Sequence, residues 1–87
     1  MIKLKGAQAA APASGSATNL SNATMVRVYN AHASTEYLVT VTNADEAAVL
    51  GTFTLAAGAV EYVDKNTTDE IFAAHAEILL TSVIVVG

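Results

Sequence analysis

Residues 6–23, GAQAAAPASGSATNLSNA, contain no charged side chain and one large apolar one, Leu20. The chain after them is different in kind: VRVYN, YLVTVTN, VLGTFTL, AVEYV and LLTSVIVV are short runs rich in β-branched and aromatic residues. This division constrains the fold more than any other feature. A segment with so little apolar surface cannot bury a core of its own, so it becomes ordered only by lying on something else. The runs behind it alternate with period 2 and turn back within a few residues, which is the pattern of antiparallel strands.

The alternation assigns a face to each side chain of these runs. Met25, Arg27 and Tyr29 share one face of their run, and Val26 and Val28 the other. Tyr37, Val39 and Val41 oppose Leu38, Thr40 and Thr42 in the same way, because successive strand side chains point to opposite sides. A third strand is expected at 49–55, with Gly51 marking a bulge. Ala57-Gly58 turns into a fourth strand at 59–64, and Lys65-Asn66-Thr67-Thr68 forms the next turn. Two readings compete for 67–80. Thr67-Thr68-Asp69-Glu70 fits a helix capping box, whereas a strand at 70–74, a turn near 75–77 and a last strand at 79–86 complete the sheet. The second is preferred. At the tip, Ile2 and Leu4 alternate with Lys3 and Lys5, enough for one edge strand that pairs with a partner's sheet. The predicted fold is all-β: a small antiparallel sandwich or barrel of about six to seven strands. It comprises an extended N-terminal arm, residues 1–23, and a body, residues 24–87.

Composition excludes several functions. With 87 residues and no cysteine, the chain is one domain without disulfides or thiolate metal sites. The tip lacks the apolar core of a secretory leader, and no run approaches the ~20 apolar residues of a membrane helix. Lys3 and Lys5 are the only charges in residues 1–23, while residues 24–87 hold Arg27 and Lys65 against all eight acids. An acidic body without clustered Lys and Arg is not a nucleic-acid binder. A domain of this size buries only about 60% of its unfolded surface. With no Trp and no disulfide to compensate, subunits are expected to gain stability from neighbours.

No catalytic constellation is legible. His32 and His75 stand apart, without a metal-ligand spacing, and no cofactor is expected. Asp45-Glu46 and Asp69-Glu70 are adjacent pairs and read as solvated turns. No serine or threonine is marked by a nearby base. Three N-x-S/T sequons, at Asn19, Asn22 and Asn66, read as chance in an Asn/Ser/Thr-rich chain. Tyr29, Tyr37, Phe53, Tyr62 and Phe72 fall about one per strand and are expected to pack in the core. The alternative use, a carbohydrate-binding or adhesive module, requires Tyr37 and Tyr62 on one exposed face.

SGSATNLSNAT, then MVRVYNAHASTEYLVTV, a Gly turn before VEYVDKNTTDEIFA, and a closing TSVIVV strand resemble small virion structural proteins of tailed phages, of marine cyanophage type. The resemblance spans roughly residues 14–86 and rests on strand–turn spacing and the step from Lys65 to Asp69. It implies a non-enzymatic particle component, most simply a head decoration or cement subunit on the particle exterior. The implied partners are the major capsid protein, other virion proteins and further copies of the chain. The residues expected to contact a partner are those of the arm: Ile2, Lys3, Leu4, Lys5 and Leu20.

Overall fold

The computed structural model describes residues 2–86. It contains eight strands: β1 (Ile2–Leu4), β2 (Ala9–Ala10), β3 (Met25–Asn30), β4 (Tyr37–Thr42), β5 (Val49–Leu55), β6 (Val60–Asp64), β7 (Glu70–Ala73) and β8 (Ile78–Val85). One 3-10 turn lies at Ala44–Glu46. All strand pairs are antiparallel. One sheet has the order β1-β8-β3-β6, with β2 also on β8, and the other has the order β5-β4-β7. The fold is therefore all-β and sandwich-like, as the alternation predicts, with two short N-terminal strands where one was expected.

The two sheets bury the faces the sequence assigns. Val26 and Val28 of β3 and Ile78 and Leu80 of β8 meet Val39 of β4 and Ile71 of β7, all essentially inaccessible to solvent. The molecule is only 19 Å thick along its short axis, which two sheets about 10 Å apart and their outer side chains fill. The contested stretch 67–80 is strand–turn–strand. A helix there would withdraw β7 from β4, whose other neighbour is the single strand β5. The bulge falls beside Gly51: Val41 faces Gly51 and Thr42 faces Val49, leaving Leu50 as the extra residue.

Two expectations need correction. The first concerns the aromatics. Phe53 and Tyr37 pack against the core, but Tyr29 and Tyr62 lie on the outer face of the first sheet and Phe72 on that of the second, because their strand neighbours take the inward positions. Aliphatic side chains and three alanines (Ala11, Ala23 and Ala73) fill the core instead.

The second concerns the arm. Residues 2–23 do not wait for a neighbouring molecule; they lie on their own body. β1 pairs with Val83–Val85 and β2 with Leu79–Leu80. The Lys5 N–H donates to the Ser82 carbonyl (2.8 Å) and the Ala11 N–H to the Ile78 carbonyl (2.8 Å). The register changes between β1 and β2, so Gly6–Gln8 bulges out of the pairing. The chain then crosses to the second sheet. The Ala73 N–H donates to the Pro12 carbonyl (3.0 Å), and Thr18 and Ile71 exchange both backbone bonds. One segment thus covers the open edge of β8 and then that of β7. Its missing side-chain core is no obstacle, because backbone hydrogen bonds fix it, and these require no particular side chains.

Candidate interaction surface

Of the five arm residues expected to contact a partner, four remain exposed and one does not. Ile2, Lys3 and Leu4 form β1, whose outer edge faces solvent, with Lys5 directly after it, and Leu4 is 64% exposed. Leu20 is packed against the body core. It begins a left-handed turn in which Leu20, Ser21 and Asn22 all have positive φ, at 53°, 57° and 59°. Such a run costs roughly 1–2 kcal/mol per non-glycine residue and persists only where surrounding contacts impose it.

Lys65 is the main contact. Its side chain is buried at the end of β6, and its Nζ donates to the carbonyls of Asn19 (2.9 Å), Ala23 (2.6 Å) and Asn66 (3.3 Å). Burial pushes the ammonium below the ordinary lysine pKa, while the nearby charges of Asp69 and Glu70 act in the opposite direction. The acidic pairs are not merely solvated either. Glu46 accepts from the N–H groups of Gly15 (3.0 Å) and Ala17 (2.7 Å), fastening the segment where it crosses between sheets. Asp69 is buried and accepts from the Asn66 N–H (3.0 Å). Charge in this molecule holds loops together, a role the adjacent spacing of the acids does not reveal.

At one end of the sandwich Asn30 is fully buried and completely bonded. Its amide donates to the carbonyls of Thr35 and Leu55 (both 2.9 Å) and its Oδ1 accepts from the His32 N–H (2.9 Å). Above it, Tyr37 stacks on His75 at 4.5 Å and His32 meets both rings edge-on. The Nδ1 of each imidazole is occupied as an acceptor, from Ser34 and Thr35 N–H for His32 and from Glu77 N–H for His75. The histidines therefore organise turns. No group of three or more His, Cys, Asp or Glu residues able to hold a metal occurs among the described residues. Tyr37 points inward at this end while Tyr62 lies on the outer face of the other sheet, so the paired aromatic platform of a carbohydrate-binding module does not form.

The surface is distinguished by its strand edges. Among the described residues, β6 and β5 each have an unpaired outer edge, and so does β1. Large apolar side chains are exposed on all three: Val60 and Tyr62 on β6, Val49 and Leu50 on β5, Ile2 and Leu4 on β1. Unpaired N–H and C=O groups beside apolar side chains are a template for adding a strand from another chain. Among the described residues no helix is long and apolar enough to cross a membrane. Comparison with protein-family models, curated proteins and solved structures finds no match to this chain.

Proposed function

We propose that the protein is a non-enzymatic structural subunit of a tailed-phage particle, a head decoration or cement protein that docks on capsid proteins through its sheet edges. The observation that carries the reading is the set of three unpaired edges bearing exposed apolar residues on so small a domain. Monomeric proteins usually blunt such edges or cover them. On a particle surface many copies act together, so contacts that are weak singly suffice. The resemblance of residues 14–86 to virion structural proteins supplies the particle class. The mode of docking differs from that of a free arm: residues 6–23 are part of the domain, and of the N-terminal segment β1, with Ile2, Lys3 and Leu4, and the adjoining Lys5 offer an edge to a partner.

The test is mass spectrometry of density-gradient-purified virions of a phage encoding this chain, followed by cryo-electron microscopy. Hundreds of copies per particle on the head exterior are the expected result. Detection in infected-cell lysate but not in purified particles overturns the reading.

A further inference from the structure

The two outer edges of the larger sheet differ in charge. One, β1, carries Lys3, with Lys5 directly after it. The other, β6, carries Glu61 and Asp64. Strand direction alternates across β1-β8-β3-β6, so β1 and β6 run in opposite directions. If a second copy is placed beside the first in the same orientation, its β1 meets β6 of the first as an antiparallel pair.

The hydrogen-bonding phase of the two edges also agrees. The Lys5 N–H is used on β8, so along β1 the odd residues point inward and Ile2 and Leu4 present free backbone groups outward. On β6 the Ala59 carbonyl and the Lys65 N–H are used on the β3 side, which leaves Val60, Tyr62 and Asp64 facing outward. Opposing Ile2 to Tyr62 and Leu4 to Val60 pairs free groups with free groups. The same register puts the four apolar side chains on one continuous outer face, because Ile2 and Leu4 share the face of Val83 and Val85, and Val60 and Tyr62 share that of Arg27 and Tyr29. On the opposite face it sets Lys3 directly against Glu61, with Lys5 diagonal to it, the two positions at which cross-strand charges interact.

We infer that copies of this chain associate head to tail, with β1 of one copy extending the β1-β8-β3-β6 sheet of the next at β6. Charge selects this arrangement over the symmetric ones. Two β1 edges together oppose lysines to lysines, and two β6 edges oppose acids to acids, so each edge resists its own kind and accepts the other. The contact is heterologous, and assembly proceeds into a ring or an open filament according to the rotation between copies. The inference goes beyond particle membership and is tested on the purified chain alone, so the two stand or fall separately.

The experiment is sedimentation velocity of the full chain over a wide concentration range, at low and high salt, with circular dichroism to verify folding of every variant. The wild-type chain is expected to associate with concentration and to weaken as salt rises. K3E/K5E and E61K/D64K are each expected to weaken association at least about tenfold, because every contact then opposes like charges. An equimolar mixture of the two variants is expected to associate again, since acidic β6 edges then meet basic β1 edges. A wild-type chain monomeric throughout overturns the inference. So does association that neither double substitution weakens, or a mixture that stays monomeric. Association lost only in L50K, on the β5 edge, also overturns it and assigns the contact to β5.

Discussion

Replacing Lys65 with Met keeps the aliphatic stem and removes the ammonium that holds the left-handed turn at residues 20–22. Three carbonyls lose a charged donor, but not equally: the Asn66 contact is long at 3.3 Å. Two contacts therefore carry the effect, at 2.9 and 2.6 Å. Hydrogen bonds to charged groups contribute about 1.5–3 kcal/mol each, giving about 3–6 kcal/mol before offsets. Two terms reduce this. Burial already penalises the charge, as the lowered pKa of Lys65 states, and a freed turn recovers part of its roughly 1–2 kcal/mol per residue of left-handed strain. The expected net loss for K65M is about 2–3 kcal/mol, read from urea unfolding followed by circular dichroism, with an unchanged m-value. In a domain of this size that lowers Tm by about 8–24 °C. The pH dependence has a fixed sign. With the folded-state pKa lowered from the 10.5 of a free lysine, the unfolded chain binds more protons between the two values, so wild type gains stability relative to K65M as pH rises through that window. A K65M protein within about 0.5 kcal/mol of wild type, the range of inconsequential surface changes, refutes the assignment of Lys65 as the support of the turn.

Asn30→Ala strands the buried Leu55 carbonyl, the part-buried Thr35 carbonyl and the His32 N–H, and an expected loss of about 2–4 kcal/mol is measured by the same unfolding curves; a loss below about 1 kcal/mol shows that water replaces the amide. A chain restricted to residues 24–87 exposes the edges of β7 and β8 and loses Ala11 and Ala23 from the core. It is expected to give poorly dispersed amide NMR signals, and a well-dispersed spectrum with wild-type stability contradicts the assignment of residues 2–23 to the domain. Ser21→Gly, at an exposed position with φ of 57°, relieves steric strain at the cost of greater unfolded-chain freedom, and is expected to leave stability unchanged or raise it by up to about 1 kcal/mol. A drop in thermal-melt Tm counts against the left-handed turn. Leu50→Lys, on the free edge of β5 and 56% exposed in wild type, is expected to raise the solubility limit while shifting stability by less than about 0.5 kcal/mol.

The strands of the body and the faces they bury were legible in the chain. Val26 and Val28, or Tyr37, Val39 and Val41, declare a face because side-chain direction alternates with period 2, a property local to each strand. The turns were legible for the same reason: Gly58, with φ of 76°, and the Asn66–Asp69 turn are made by residues within a few positions of one another. Of the candidate contact residues, Ile2, Lys3 and Leu4 form an edge strand with Lys5 directly after it, as their alternation suggests, while Leu20 packs on its own core, because a large apolar side chain gives no sign of which core receives it.

The division of strands between two sheets, the course of residues 2–23 and the roles of Lys65, Glu46 and Asn30 were decided by tertiary structure alone. The segment fills the edges of β8 and β7 with backbone groups, which every residue type but proline offers alike, so no composition marks it as a strand donor. Lys65 and Asn19, and Glu46 and Gly15, are 46 and 31 residues apart. A single lysine or glutamate looks the same whether it ends in water or on a carbonyl or an N–H brought to it by the fold. Charge along β1 and β6 was visible as residues, but that the two strands are opposite edges of one sheet, antiparallel and in matching phase, is a consequence of chain topology.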